Sequence, residues 1–110
     1  MEAHLVSGTY LIALQTPMGL ERGLLTLQES GGALSGSIQT RGRISRFTGG
    51  RCSGDGDGAQ FSFQGILSLG LVKIPYTARG TVRGDALDAV ADTRYGSFPL
   101  RGQRHGQNAG

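Results

Sequence analysis

Residues 61–82 read FSFQGILSLGLVKIPYTARGTV and give the clearest indication of the fold. Apolar or small residues occupy every second position from Phe61 to Leu67, and again from Ile74 to Val82. A period of two is typical of β-strands that bury one face. The segment between the two runs, 68–71, contains a glycine, as turns commonly do. The stretch therefore predicts two antiparallel strands joined by a short turn.

Shorter runs of the same kind recur on both sides of this stretch. Glycine contributes 20 of the 110 residues, against roughly 7% in an average protein, and this density disfavours long helices. Residues 49 to 58 are glycine-rich and are predicted to form the longest loop. The six further predicted strands are 10–14, 24–28, 34–38, 44–48, 87–93 and 97–101.

The chain also reads as two related halves. Residues 17–20 resemble 68–71, Leu34 corresponds to Leu87, and Phe47 corresponds to Phe98. Four strands leave two exposed edges, whereas eight can close and remove both. The prediction is a single all-β domain, a small antiparallel up-and-down β-barrel of about eight strands built from two four-strand halves. Residues 1–7 are predicted to form an N-terminal extension, 8–102 the barrel and 103–110 a disordered polar tail.

Closure of the barrel predicts that one alternating set of residues on each regular strand faces the interior. This set is Tyr10, Ile12, Leu14, Leu25, Leu27, Leu34, Gly36, Ile38, Phe61, Phe63, Gly65, Leu67, Ile74, Tyr76, Ala78, Gly80, Val82, Leu87, Ala89 and Ala91. Large residues crowd one part of this face, and glycine or alanine occupies the rest, so two outcomes compete. Small residues let large ones from opposite strands fill the lumen, or they leave a cavity for one small apolar ligand. Filled interiors are the more usual outcome. The side chains predicted to contact such a ligand are Tyr10, Ile12, Leu27, Ile38, Phe61, Phe63 and Tyr76.

Charge, hydropathy and cysteine content indicate the cellular compartment of the protein. The formal net charge is +3, and ten of the eleven cationic residues are arginine. No apolar run approaches the ~20 residues of a membrane-spanning helix, and the first residues do not resemble a signal peptide. Cys52 is the only cysteine, which precludes an intrachain disulfide and fits a reducing compartment. These features predict a cytoplasmic protein that does not associate with membranes.

Several turns carry a resemblance to known barrels. Gly8-Thr9-Tyr10, Leu34-Ser35-Gly36-Ser37 and Phe98-Pro99-Leu100-Arg101-Gly102 are similar in style to segments of streptavidin-like and lipocalin-like (calycin) barrels. Four segments, Thr16-Pro17-Met18-Gly19, Leu34-Ser35-Gly36, Phe61-Ser62-Phe63 and Ser97-Phe98-Pro99-Leu100, resemble a small glycine-rich β-domain found in bacterial proteins and at the C-terminal ends of some old-yellow-enzyme-type flavin oxidoreductases. That resemblance implies an accessory or oligomerisation role beside an oxidoreductase. The absence of tryptophan argues against biotin binding.

Motifs for metals, cofactors and nucleic acids are weak or missing. Residues 55–58 read DGDG, but Ala59 and Ile66 stand where a calcium loop needs oxygen ligands, so neither a metal nor a cofactor is predicted. Arginines lie near phenylalanines, as in some single-strand nucleic-acid sites. Phe61 and Phe63 fall in the predicted core register, however, so nucleic acid is not the expected partner. The arginines are Arg41, Arg43, Arg46 and Arg51, and the phenylalanines are Phe47, Phe61 and Phe63.

Two polar features invite a chemical interpretation. Asp88, Asp92 and Arg94 share one face of a strand, where they are predicted to form a solvent-exposed ion network. The alternative places them at a mouth of the barrel, with acid–base candidates Tyr76, Asp92, Arg94 and Tyr95. Cys52 follows Arg51, and a neighbouring cation lowers a thiol pKa, although a single loop cysteine is more often incidental.

Three functions remain open from sequence alone. The first is a non-catalytic barrel that binds a small apolar ligand or a partner protein. The second is a small barrel enzyme, such as a cyclase or isomerase, that confines a flexible substrate. The third is an accessory or oligomerisation domain. A homodimer is a further alternative, although the predicted outer faces carry no long apolar stripe.

Overall fold

A computed structural model describes residues 6–16, 19–40, 42–55, 58–69 and 71–105. The described residues form eight β-strands and contain no helix. They therefore include no helix that is long and apolar enough to cross a membrane. The strands are β1 (Gly8–Thr16), β2 (Gly19–Ser30), β3 (Ala33–Thr40), β4 (Arg43–Asp55), β5 (Gly58–Leu69), β6 (Val72–Arg83), β7 (Ala86–Thr93) and β8 (Gly96–His105).

Each strand pairs with its neighbours in the sequence, and all pairs are antiparallel. The sheet closes because β8 returns to β1, with Thr9 opposite His105 and Leu14 opposite Leu100. The architecture is a closed up-and-down barrel of eight strands, which confirms the predicted fold class.

The predicted inward face is confirmed along the strands. Its large residues are buried in one continuous core, which runs through the barrel. Val6, Phe47 and Leu100 also belong to this core, although sequence alternation did not assign them to it. The predicted residues that are buried are Tyr10, Ile12, Leu14, Leu25, Leu27, Leu34, Ile38, Phe61, Phe63, Leu67, Ile74, Tyr76, Ala78, Val82, Leu87, Ala89 and Ala91.

The predicted loop over residues 49–58 is wrong for most of its length. β4 continues to Asp55 and β5 begins at Gly58, while residues 56 and 57 lie outside the described residues. The register between β3 and β4 shifts between Leu34 and Gly36, and Gly49 adopts a φ of +77°. Such a β-bulge inserts one residue and moves the inward alternation by one position. The period of two is therefore broken in the middle of β4, where the sequence suggests a loop.

The last strand extends beyond the predicted barrel boundary at residue 102. Gln103, Arg104 and His105 pair with β1, and the Arg104 amide donates a hydrogen bond to the Asp85 carbonyl at 2.8 Å. Residues 106–110 of the predicted tail, and residues 1–5 of the predicted extension, lie outside the described residues. Pairing on two sides holds the strand in place despite its polar sequence.

Candidate functional site

Aromatic side chains fill the middle of the lumen. The rings of Phe47 and Phe63 stack with centroids 3.9 Å apart, and Phe61 lies 5.9 Å from Phe63. Tyr76 meets Phe63 edge-on at 6.0 Å. These rings come from three adjacent strands, β4, β5 and β6. Because buried rings make close contact at such distances, this part of the barrel is a packed core.

One end of the lumen holds a small apolar cavity. We call it the β1–β2 end, since β1 ends there and β2 begins there. The cavity has a volume of about 30 Å³, enough for about one water molecule. Pockets for small molecules usually measure ~300 Å³ or more. Its lining includes Ile12, Leu14, Ile38, Leu67, Tyr76 and Leu100.

The opposite end is closed by the N-terminal segment. Val6 is 1% exposed, and its carbonyl accepts a hydrogen bond from the Tyr10 hydroxyl at 2.7 Å. The Arg104 guanidinium lies 5.0 Å from the centre of the Tyr10 ring and donates hydrogen bonds to the Ser7 carbonyl and, at 3.1 Å, to Asp85. These contacts seal the lumen on this side.

The predicted ligand-contacting residues therefore lie together, but as parts of the packed core. Three of them, Ile12, Ile38 and Tyr76, line the small cavity at the β1–β2 end. Contact with a ligand stays a prediction for all seven. The remaining four, which are buried elsewhere in the core, are Tyr10, Leu27, Phe61 and Phe63.

Tyr76 is the unusual residue of this core. Its side chain is 8% exposed, and its buried hydroxyl has no hydrogen-bond partner among the described residues. A Cβ atom added to Gly65 would lie 2.9 Å from this hydroxyl, so the phenol packs against a glycine of β5. Burial raises the pKa of Tyr76 far above that of an ordinary tyrosine. The phenol is consequently protonated at neutral pH and offers a hydrogen-bond donor, not a base.

The other acid–base candidates lie outside the barrel wall. Asp92 accepts hydrogen bonds from Ser97 at 2.5 Å and from Arg79 at 2.7 Å. These contacts, the Ser97 hydrogen bond first, lower the pKa of Asp92. Tyr95 is exposed on the β7–β8 turn. Asp92 and Arg94 border one open surface groove that Tyr76 also reaches, but the Tyr76 hydroxyl itself is buried beside Gly65.

The predicted ion network exists with different partners. Asp88 pairs with Arg101 at 3.4 Å and Asp92 pairs with Arg79, so neither of these ion pairs uses Arg94. Both pairs join neighbouring strands: Asp88 stands opposite Arg101 in the register of β7 and β8, and Arg79 lies diagonally across from Asp92 on β6. A residue directly opposite on the neighbouring strand lies closer than one two positions along the same strand, and a long side chain such as arginine also reaches across the diagonal. The partners follow from register, which the sequence does not display.

Cys52 and the residues near it do not form a reactive site. Its side chain is half-buried against the core, and burial, followed by the charge of Glu29, raises the thiol pKa. The expectation that Arg51 would lower this pKa is therefore wrong. Among the described residues, no group of three or more histidine, cysteine, aspartate or glutamate side chains could hold a metal ion.

No protein family, curated protein or solved structure matches the chain. The closed eight-strand architecture is compatible with a calycin-like barrel, and the likeness extends to the architecture alone.

Proposed function

We propose that this barrel is a non-catalytic module that binds a partner protein through its outer surface. The observation that carries the proposal is the filled lumen. Stacked rings occupy its middle, the N-terminal segment closes one end, and about 30 Å³ is left at the other. A lumen of this kind has no room for a drug-sized ligand or for a substrate that must be confined.

The arrangement of the acid–base candidates supports the same proposal. A general acid or base must come within hydrogen-bond reach of the atom it serves. The Tyr76 hydroxyl is buried inside the wall, whereas Asp92 lies outside and is engaged by Arg79 and Ser97. These groups do not converge on a common enclosed space, which a small barrel enzyme would need.

The outer surface, in contrast, carries several large apolar side chains. Leu11 and Leu24 stand opposite each other on β1 and β2, and Leu11 is exposed. Single exposed apolar residues are ordinary on soluble proteins. Several of them around one small barrel nonetheless supply the contact area from which a protein interface is built. The exposed ones are Leu11, Leu20, Ile44, Ile66, Leu71, Val72, Val90 and Tyr95.

Two measurements test this function. The first is thermal unfolding with a panel of small hydrophobic compounds. A compound that binds the folded barrel and is present at 100 times its Kd would raise the free energy of unfolding by about 2.7 kcal/mol. We expect no such stabilisation. Peptides selected from a display library against the intact barrel are expected to shift backbone amide signals of outward-facing residues. Stabilisation by a small compound together with shifts confined to Ile12, Ile38 and Tyr76 would reject the proposal and favour a ligand in the lumen.

A further inference from the structure

The exposed apolar side chains of the barrel are concentrated at its β1–β2 end. Since the strands run up and down in order, the turns that join β1 to β2, β3 to β4, β5 to β6 and β7 to β8 all lie at this end. Leu11 and Val90 are exposed in the middle of their strands, and no large apolar residue is exposed among the described residues of the opposite end. The other exposed large apolar residues that the structure describes lie in these turns or close to them, and they are Leu20, Ile44, Ile66, Leu71, Val72 and Tyr95.

Exposed cations accompany these apolar residues. On each of the four hairpins that turn at this end, an exposed cation lies within two positions of an exposed apolar residue. Arg94 directly precedes Tyr95 in the β7–β8 turn, and Lys73 directly follows Val72 in β6. No described ion pair uses the cation of any of the four hairpins. The cations of the β1–β2 and β3–β4 hairpins are Arg22 and Arg43.

The carboxylates described at this end are buried or already engaged. Glu21 is 6% exposed, and Asp92 accepts hydrogen bonds from Arg79 and Ser97. The four cations are therefore free to bind carboxylates of another molecule. The other carboxylate residues in the described ranges are Asp88, within β7 beside Arg101, and Glu29, Asp55 and Asp85, at or near the opposite end.

Unpaired cations also occur away from this end, but without exposed large apolar neighbours. Arg51 and Arg83 are exposed, and no described ion pair uses them. They lie in the second half of β4 and at the last position of β6, toward the opposite end. Arg46 is likewise unpaired, but it lies two positions from Ile44 on the outer face of β4 and extends the surface of the β1–β2 end. The combination of apolar side chains with unpaired cations is therefore a property of this end.

The small apolar cavity of the lumen lies within the same end. All four hairpins contribute to its lining, among them Thr16 of β1, Ile38 of β3, Ile74 of β6 and Phe98 of β8. At about 30 Å³ it is too small for a drug-sized ligand but has room for a terminal methyl group. An apolar recess within an interface is where a partner protein places a strongly bound side chain.

We propose that the β1–β2 end is the surface that binds the partner protein, and that it takes a segment whose aliphatic side chains are flanked by carboxylates. This inference rests on the proposed function and names the part of the outer surface involved and the chemistry of the partner. Aliphatic side chains of the segment pack among Leu20, Leu71 and Tyr95, and one of them reaches the cavity. Carboxylates of the segment bind the guanidinium groups of Arg22 and Arg94. Such an interface has an apolar centre and a polar rim.

Charge and composition favour this occupant over the alternatives. A second copy of the chain brings the same cations to an end-to-end contact, so the two copies repel each other. Proteins at a membrane interface are anchored by tryptophan and tyrosine, whereas this chain has no tryptophan and exposes only Tyr95 among its tyrosines. Most of the cations here are arginines, which protein interfaces enrich and whose planar guanidinium matches a carboxylate.

The test begins with peptides selected from a display library against the intact chain. Relative to the unselected library, these peptides are expected to be enriched in aspartate and glutamate and in leucine, isoleucine and valine. Bound peptides are expected to shift the backbone amide signals of residues 19–22, 43–46, 71–74 and 93–96. Selected peptides that are mainly basic, or that shift amides of other parts of the wall instead, would overturn the inference.

Two double variants measure the contribution of charge to the affinity for one selected peptide. Arg22→Glu/Arg94→Glu is expected to weaken binding at least about tenfold in fluorescence anisotropy, a change of ~1.4 kcal/mol. The matched control Arg51→Glu/Arg83→Glu makes the same change of charge at exposed, unpaired arginines away from this end, and it is expected to alter Kd less than about threefold. Equal weakening by both variants would show attraction by net charge alone and would overturn the inference.

A second pair of variants measures the apolar contribution. Leu71→Ser/Tyr95→Ser is expected to weaken binding of the same peptide at least about tenfold. The matched control Leu11→Ser/Val90→Ser removes apolar side chains that are exposed in the middle of the wall, and it is expected to alter Kd less than about threefold. Because all four side chains are exposed, circular dichroism melts are expected to show that both variants fold. Equal affinity of Leu71→Ser/Tyr95→Ser and the unaltered chain would overturn the inference.

Other occupants of this end are recognised with the same variants. The unaltered chain is expected to remain monomeric and not to sediment with vesicles of phosphatidylcholine and phosphatidylserine. Sedimentation with these vesicles that Leu71→Ser/Tyr95→Ser abolishes would assign the end to a membrane surface and overturn the inference. A dimer in sedimentation velocity that this variant disrupts would assign the end to a second copy and would also overturn it.

Failure here is separable from failure of the proposed function. Selected peptides that shift only amides in the middle of the wall or at the opposite end would leave a partner-binding module in place and reject the β1–β2 end as its surface. Stabilisation by a small hydrophobic compound bound in the lumen would reject the proposed function itself.

Discussion

Replacing Tyr76 with phenylalanine is expected to stabilise the barrel, whereas the same replacement at Tyr10 is expected to destabilise it. Both rings are buried, so packing changes little in either variant. The difference lies in the hydroxyls. Tyr10 donates a hydrogen bond to the Val6 carbonyl at 2.7 Å, while the Tyr76 hydroxyl has no partner among the described residues.

The magnitudes follow from the cost of buried polar groups. A buried hydroxyl without a partner costs about 1–3 kcal/mol, so its removal from Tyr76 is expected to raise the free energy of unfolding by about 1 kcal/mol. Removal of the Tyr10 hydroxyl leaves the Val6 carbonyl unpaired and is expected to lower that free energy by ~1–2 kcal/mol. For a domain of this size, each kcal/mol corresponds to about 4 °C in Tm.

Denaturant titration at neutral pH measures both variants, and unchanged m values would show that the unfolded state is not altered. Alkaline titration gives a second signal. Burial raises the pKa of Tyr76 above the ordinary tyrosine pKa of about 10, so above that pH the unfolded chain ionises first and the free energy of unfolding falls. Tyr76→Phe is therefore expected to make the alkaline loss of stability shallower. A Tyr76→Phe variant as destabilised as Tyr10→Phe would refute the reasoning, since the hydroxyl would then have a partner.

Three further perturbations test particular contacts. Gly36→Ala is expected to lower the free energy of unfolding by at least ~3 kcal/mol, because the added Cβ would overlap the Thr26 carbonyl oxygen. Gly42 has a φ of +74° and open space around it, and asparagine tolerates this conformation. Gly42→Asn is therefore expected to change the free energy of unfolding by less than ~1 kcal/mol. Similar losses in circular dichroism melts of the two variants would contradict this. Cys52 is expected to react with iodoacetamide at pH 8 more slowly than a free thiol, since its pKa is raised; reaction at the rate of an unfolded control would show otherwise. Asp92, whose pKa is lowered, contributes stability above the ordinary carboxyl pKa that is lost as the pH falls through the lowered value. Asp92→Asn should flatten the acid limb of the stability profile, and an identical acid limb would exclude this contribution.

The fold could be predicted because alternation is strong where strands are regular. Phe61 to Leu67 and Ile74 to Val82 alternate without interruption, and the structure places them as neighbours in β5 and β6. Closure followed from an energetic argument, since eight strands can remove the edges that four would expose. The return of β8 to β1 is the observation that confirms it.

The parts that could not be predicted depend on local irregularity and on register. The bulge near Gly49 shifts the alternation of β4, so its second half read as a loop. The partner of Asp92 is Arg79, because β6 lies beside β7, although Arg94 is nearer in sequence. The unpaired hydroxyl of Tyr76 has no signal in the sequence. The same alternation fits a buried tyrosine whether or not its hydroxyl has a hydrogen-bond partner in the core.

The choice between a hollow and a filled barrel follows from how side-chain size is distributed around the wall. The aromatic rings come from β4, β5 and β6, while β7 contributes Ala89 and Ala91 to the interior. Glycines make room for these rings, since a Cβ added to Gly36 would lie 2.9 Å from the Phe47 ring and one added to Gly65 would lie 2.9 Å from the Tyr76 hydroxyl. Small residues beside large ones therefore close the lumen instead of opening it. A barrel filled in this way can vary its outer surface without disturbing its core, and this independence suits a module whose task is recognition of another protein.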